Sequence, residues 1–156
     1  MQNIIIGIGI ICKRSEKNFF KEKFENSFVE IFNNIFSQGK NDLNGILYEN
    51  CVFSFCFYVF NQIEINENNY LIAQKMLKFL PLSDDLDLSE KICGIFFNEI
   101  INENKIIIND VNLPFVKQTI LKIIDYNKYK NFIKEEIQNL IFCCVQLGIN
   151  INNNNN

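Results

Sequence analysis

Apolar residues recur every three or four positions along almost the whole chain. The clearest run lies between residues 20 and 36, where Phe and Ile at these steps form one stripe of a helix. A second run between residues 133 and 147 ends at Gly148, and Gly39 follows the first, so both glycines are expected to end a helix. The pattern predicts an all-helical protein with helices over residues 3–12, 21–37, 42–61, 68–80, 88–102, 112–125 and 128–147.

Proline and acidic residues mark the expected boundaries. Pro81 is predicted to stop the fourth helix, because proline biases its predecessor away from helix. Residues 83–87 are predicted to be an acidic loop, with Asp87 as the N-cap of the fifth helix. Pro114 is expected in the first turn of the sixth helix. The segment from Ile106 to Val111 is rich in β-branched residues and is kept as an alternative extended linker.

The odd-numbered helices are predicted to start about 40 to 44 residues apart, close to the ~40–47 residues of HEAT-type helix pairs. The chain is therefore predicted to be an α-solenoid over residues 1–149, with about three antiparallel helix pairs and a final helix, and a disordered Asn-rich tail at 150–156. The first helix is apolar nearly all round. Because a solenoid end has a polar capping face, this pattern favours further repeats before it.

Composition narrows the chemistry. The chain has 156 residues, 48% of them hydrophobic, and a formal net charge of −3, which indicates one domain with a sizeable core and no basic patch for nucleic acid. It contains no His, which excludes a Ser-His or Cys-His nucleophile pair and a His-containing zinc site within this chain. We therefore predict no enzymatic activity, no cofactor and no metal site.

Six cysteines lie mostly among apolar residues, and none forms a C-x-x-C pair. They are predicted to be small buried side chains in a reducing compartment. No basic stretch precedes the apolar run at residues 4–11, so no signal peptide is expected. No segment reaches the ~20 apolar residues of a membrane span. The pattern thus predicts a soluble intracellular protein.

Gly7 and Gly9 follow an apolar run and invite comparison with a dinucleotide-binding fingerprint. That fingerprint needs a third glycine where this chain has Cys12, so close helix packing at the two glycines is the favoured interpretation. The aromatic residues between positions 53 and 60 have no interleaved Lys or Arg, which stacking on nucleic acid requires. Packing in the core is therefore favoured for them over an exposed docking patch.

An acidic cluster lies in and just after the predicted loop. The favoured interpretation is a solvated loop between repeats, and the alternative is a contact for a basic partner. A catalytic role for these carboxylates is disfavoured because no other polar groups form a pocket around them. The cluster consists of Asp84, Asp85, Asp87 and Glu90.

Short segments also carry a resemblance to a known family. They are Glu-Asn-Cys-Val at residues 49–52, Leu-Pro-Leu and two acids at 80–85, and Asn-Leu-Pro at 112–114, preceded by residues 7–20. In this order and spacing they resemble the C-terminal HEAT repeats of karyopherin-beta nuclear import receptors of the importin-beta-three (importin five) type. The chain departs from that family in its third helix, where Phe and Cys replace the usual small residues and Lys.

The resemblance implies a segment of a nuclear import receptor, found in cytoplasm and nucleus, that binds basic cargo proteins and releases them when Ran-GTP binds. The family's Ran-GTP contacts lie in N-terminal repeats that this chain lacks, so no Ran-binding residue is carried over. The acidic cluster is the expected contribution to cargo binding. The alternative function is a HEAT-repeat scaffold that mediates protein–protein interaction in another complex. Neither function involves nucleic acid or a membrane.

Overall fold

A computed structural model describes residues 2–16, 25–42, 45–130 and 134–150. Every regular element within these ranges is an α-helix, so the predicted all-α class is confirmed. The predicted Asn-rich tail lies outside the described residues except for Asn150. The helices are α1 (Gln2–Arg14), α2 (Glu25–Asp42), α3 (Gly45–Asn61), α4 (Glu67–Leu77), α5 (Leu86–Ile101), α6 (Leu113–Lys130) and α7 (Lys134–Gln146).

Several predicted boundaries were wrong. Helix α4 ends at Leu77, before Pro81 acts as its stop, and α6 continues to Lys130, so α7 begins at Lys134 rather than at residue 128.

Helix α2 continues through Gly39 to Asp42, since a helix tolerates an interior glycine at a cost of about 1 kcal/mol. Helix α5 begins earlier than expected, and its N-cap is Asp85 rather than Asp87. The Asp85 carboxylate accepts a hydrogen bond of 2.9 Å from the Leu88 amide, which satisfies one of the free N–H groups at the helix start.

The end of α7 was predicted correctly. Gly148 has a left-handed backbone with φ +65°. Its amide donates to the Val145 carbonyl, and the Ile149 amide donates to the Cys144 carbonyl. This is the Schellman arrangement, in which two carbonyls of the last turn are satisfied and glycine avoids the strain of a positive φ.

The segment from Ile106 to Val111 forms turns, so the alternative of an extended linker is wrong. Ile106 is buried, and three asparagine side chains hold its backbone. Its amide donates to Asn104 Oδ1 at 3.0 Å, and its carbonyl accepts from Asn112 Nδ2 at 2.7 Å and from Asn109 Nδ2 at 3.2 Å. These side-chain bonds satisfy the buried backbone groups that a strand would otherwise pair.

Helices α1, α3, α5 and α7, called here the odd helices, lie side by side in series. Near the start of α1 and in the middle of α3, the Ser54 hydroxyl donates to the Ile5 carbonyl at 2.8 Å. Near their ends, the Gln62 side-chain amide donates to the Cys12 carbonyl at 2.9 Å. Because both contacts advance in the same direction along the chain, α1 and α3 are parallel.

The same direction holds for the next step of the series. The Asp85 amide at the start of α5 donates to the Glu49 carboxylate near the start of α3. Just beyond the end of α5, the Asn104 side chain donates to the Phe60 carbonyl at the end of α3. The even helices return the chain between successive parallel odd helices.

A repeated contact joins the C-terminal ends of the odd helices. In each case a side-chain amide donates to a carbonyl in the last turn of the preceding odd helix, at 2.9, 3.3 and 3.3 Å. The three donors are spaced 42 residues apart, and we call them the amide ladder. The donors are Gln62, Asn104 and Gln146, and their acceptors are the carbonyls of Cys12, Phe60 and Ile100.

Helix α3 is the centre of the core. It contacts α1, α2, α4 and α5, which explains why it is apolar all round. The rings of Phe55, Tyr58 and Phe60 are buried, and Phe55 lies 4.8 Å from the ring of Phe32 on α2. The prediction that these aromatic residues pack in the core is confirmed.

Gly7 and Gly9 both lie inside α1, not at a turn between strand and helix, so the dinucleotide interpretation is wrong. A Cβ at Gly9 would lie 3.1 Å from Ser54 Cα, closer than side chains normally approach. The predicted close packing is therefore correct for Gly9. A Cβ at Gly7 would meet nothing within 4 Å in the part of the chain that the structure describes.

Candidate functional site

A groove of about 350 Å³ crosses the odd helices. All four of them contribute to its lining, so it exists only when they are assembled. Its lining is partly aromatic and includes side chains of both charges together with two asparagine amides. Lining residues that bear on its chemistry are Lys13, Phe57, Lys91, Asn98, Glu136 and Asn139.

Two rings of α3 form one wall. Phe53 and Phe57 meet edge to face, with centroids 4.9 Å apart and ring planes at 89°. The ammonium of Lys13 lies over the Phe57 ring, 5.4 Å from its centroid. A cation at this distance from a ring face is attracted by the ring quadrupole, so this wall already holds one lysine side chain.

Glu136 of α7 also lines the groove. Its Oε1 would lie 3.3 Å from a Cβ at Gly94, so the glycine leaves the room that this carboxylate occupies. Its Oε2 is buried and has no hydrogen-bond partner among the described residues. Burial, and to a smaller extent the charges of Glu90 and Glu135, raises the pKa of the Glu136 carboxyl. A cationic group in the groove would stabilise its ionised form.

The acidic loop does something that its sequence did not indicate. Its backbone surrounds the carboxylate of Glu49, which is only 2% exposed. Oε1 accepts from the amides of Ser83 (2.7 Å) and Asp84 (2.8 Å), and Oε2 accepts from the amide of Asp85 (2.7 Å). The backbone of the loop thus binds an anion of its own chain, although its side chains are acidic.

The four predicted cluster residues have separate roles. Asp85 caps α5, so its side chain is already used inside the fold. Asp84 and Asp87 are exposed, and Glu90 is half-buried, with its charge acting on Glu136 at the groove. Glu49 was not predicted as a functional residue, although it begins the segment 49–52 that carries the resemblance and is a single acid at the head of the apolar run 51–60.

The six thiols are all buried and free of disulfides, as predicted. Burial raises the pKa of Cys12, Cys51, Cys93 and Cys143 to about 12. Since the thiolate is the nucleophile, these side chains react poorly in the folded protein.

Within the described residues, no group of three or more His, Cys, Asp or Glu is placed to hold a metal ion. Nor is any helix of that part of the chain long and apolar enough to cross a membrane. No protein-family model, no curated protein and no solved structure matches the chain. Its function must therefore be argued from the groove and the surfaces around it.

Proposed function

We propose that this chain is a segment of an α-solenoid that binds a protein partner along the face formed by its odd helices. The observation that carries the proposal is the groove lined by all four of these helices. Their parallel order and the 42-residue spacing of the amide ladder support a repeat of the ~40–47 residues typical of HEAT-type pairs. Repeats of this kind use an extended concave face for binding.

The chemistry of the groove favours a basic, extended segment of the partner. Glu135 and Glu136 line it, and Glu90 acts on it from α5. The amides of Asn98 and Asn139 are able to bond a partner's backbone, because each supplies both donors and an acceptor. Lys13 on the Phe57 ring is an intramolecular example of a lysine in this place.

Fluorescence anisotropy with a labelled Lys-rich peptide tests this function, with a Glu-rich peptide of equal length for comparison. We expect the Lys-rich peptide to bind preferentially, and Glu135→Gln with Glu136→Gln to weaken binding several-fold. The loss should shrink as salt rises, since exposed charges are screened over ~8 Å at physiological ionic strength. Glu67→Gln, at an exposed site on α4, is the matched control. Equal binding of both peptides would refute a groove that selects basic segments.

The acidic loop makes a separate contribution that can be measured without disturbing the helix cap. Changing Asp84 and Asp87 to Asn removes two exposed charges, while Asp85 stays in place at the start of α5. If the loop contacts a basic partner, this pair should weaken binding at low salt and leave the helix content unchanged. Unchanged affinity at low salt would show that these residues form a solvated loop that does not contact the partner.

The narrower proposal is a segment of a nuclear import receptor with basic cargo. It rests on the resemblance of residues 49–52, 80–85 and 112–114 to the C-terminal repeats of that family. On this proposal, the full product of the gene should bind Ran-GTP through N-terminal repeats and release the Lys-rich peptide when it does so. A full product that keeps the peptide in the presence of Ran-GTP would leave the general scaffold as the function.

A further inference from the structure

A second cavity, of about 320 Å³, lies between α2 and α4 and is called here the α2–α4 cleft. It is lined by side chains between residues 33 and 37 of α2, by Phe55 of α3, and by side chains between residues 75 and 79 at the end of α4. Phe53 and Phe57 of α3 line the groove instead. Because two steps along a helix turn by about 200° around its axis, the cleft and the groove lie on opposite sides of α3.

The apolar part of the cleft is a set of aromatic rings that hold one another in place. The rings of Phe36 and Phe79 are stacked, with centroids 4.5 Å apart and planes at 29°. Phe55 meets Phe36 edge to face at 5.2 Å, and Tyr48 packs across both stacked rings at 5.8 and 6.0 Å. Phe36 and Phe79 are only half-buried. An incoming aromatic ring therefore meets a surface that is already formed, which lowers the entropy lost on binding.

The charge of the cleft has one sign. The described residues that line it include two lysines and no acidic residue, whereas carboxylates and lysines both line the groove. Lys75 and Lys78 are exposed and share one side of α4, because they lie three positions apart. Within the described part of the chain, no carboxylate forms an ion pair with either ammonium. Two unpaired cations beside an apolar surface attract an anionic ligand.

Polar groups on α2 and an exposed leucine on α4 favour a peptide over a small anion. The Asn33 amide supplies donors and an acceptor for a peptide backbone. The Ser37 hydroxyl donates to the Asn34 carbonyl at 2.9 Å, so its oxygen remains able to accept from a peptide N–H. Leu71, which is 57% exposed, lies one turn before Lys75 on the same side of α4. A bound peptide thus finds hydrogen-bond partners on α2 and apolar surface beyond the lysines.

We propose that the α2–α4 cleft binds an acidic segment of a protein partner, with one aromatic side chain of that segment on Phe36 and Phe79. Carboxylates beside this aromatic side chain pair with Lys75 and Lys78. Three consecutive helices form the cleft, so it requires neither end of the chain. It shares no lining residue with the groove, and the two sites select ligands of opposite charge. Both sites can therefore be occupied at the same time.

Fluorescence anisotropy with a labelled peptide of glutamates around one central phenylalanine tests this site. Lys75→Gln with Lys78→Gln should weaken binding several-fold at low salt, and the loss should shrink as salt rises. Lys105→Gln with Lys122→Gln removes two exposed charges outside the cleft and is the matched control, which should bind like the wild type. Both double variants should keep the wild-type circular dichroism, because all four lysines are exposed.

Changes in the ligand test the aromatic contact without altering the protein. A peptide with alanine for phenylalanine keeps every charge and should bind several-fold more weakly. Phenylacetate has the ring and a carboxylate but no peptide backbone, so it should compete only at a much higher concentration. Glu135→Gln with Glu136→Gln changes the groove alone and should not weaken this peptide, so failure of either site is seen separately.

Three results would each overturn the proposal. The first is a wild-type chain that binds the alanine peptide as tightly as the phenylalanine peptide, or binds neither. The second is a Lys75 and Lys78 variant that binds as tightly as the matched control. The third is phenylacetate competing at the same concentration as the peptide, since the occupant would then be a small anion.

Discussion

The two ends of the odd helices are joined by different chemistry. At the N-terminal ends, the buried carboxylate of Glu49 in α3 accepts hydrogen bonds from three backbone amides just before α5. At the C-terminal ends, three neutral amides each donate to the carbonyl of a preceding helix. A helix start leaves N–H groups free and a helix end leaves C=O groups free. A carboxylate fits the first end and an amide donor fits the second.

The difference lies in how the contacts are distributed. One side chain, that of Glu49, serves the N-terminal joint, so its loss leaves three donors unpaired at once. The C-terminal joints repeat along the series, and each depends on its own amide. We therefore expect a single substitution to have a large effect at the first kind of joint and a small one at the second.

Glu49→Leu should have the largest effect. It leaves three amides without an acceptor in a site that is nearly closed to water, and we expect the free energy of unfolding to fall by about 3 kcal/mol. Glu49→Gln keeps the shape but loses the charge, so its effect should be intermediate. Urea denaturation measures both, with Glu67→Gln as the exposed control. A Leu variant as stable as that control would show that the carboxylate does not hold the loop.

Within the amide ladder, burial should set the order of effects. Gln62 is only 4% exposed and donates to two carbonyls, of Cys12 and Ser15. Gln62→Leu should lower the free energy of unfolding by about 1–2 kcal/mol. Gln146 lies at an exposed position and makes one such bond, so Gln146→Leu should lower it by less than about 1 kcal/mol. Urea denaturation compares the two. Equal losses of unfolding free energy in the two variants would show that burial does not decide the strength of each ladder contact.

The residues that end α5 and α7 allow a comparison in which two substitutions should change stability in opposite directions. Glu103 ends α5 with φ +52° in the position that Gly148 holds after α7 with φ +65°. Glu103→Gly should raise the free energy of unfolding by about 0.5–1 kcal/mol and Gly148→Ala should lower it by about 1 kcal/mol. The pair of Glu103 with Lys105 is exposed and contributes little. Thermal melts would contradict the argument if both variants moved in the same direction.

The smallest effect concerns pH at Glu99, whose carboxylate accepts from the Asn104 side chain. Burial raises the pKa of Glu99, although that hydrogen bond opposes the rise. The folded state therefore binds the proton to a higher pH than the unfolded chain, so stability from this group is greatest in acid and falls as pH rises through the folded pKa. The free energy of unfolding of Glu99→Gln should therefore rise relative to that of the wild type as pH increases. Parallel stability curves for the two proteins would exclude the effect.

Which side of α1 is buried was not predictable from the sequence. An apolar first helix predicts that some isoleucines remain in water, and Ile10 and Ile11 do, whereas Ile5 faces α3 and is only 3% exposed. A helix that is apolar all round carries no periodic signal for which side is covered.

The candidate functional residues were also visible in the sequence only in part. The acidic cluster was visible as a run of charges, but its backbone turned out to bind Glu49, and one of its members caps a helix. The groove was not predicted, because its lining comes from four helices that are far apart along the chain. No local spacing of residues indicates which of these side chains will face one another.

By itself the sequence determined the helical class and the burial of the aromatic residues in α3 and of the thiols, because these follow from the hydrophobic pattern within a few turns. Only the tertiary structure decided the parallel order of the odd helices, the capture of Glu49 and the amide ladder. The deciding hydrogen bonds join residues 34 to 50 positions apart. A side chain reaches a distant carbonyl or amide only after the helices have packed, so these contacts leave no mark in the local pattern.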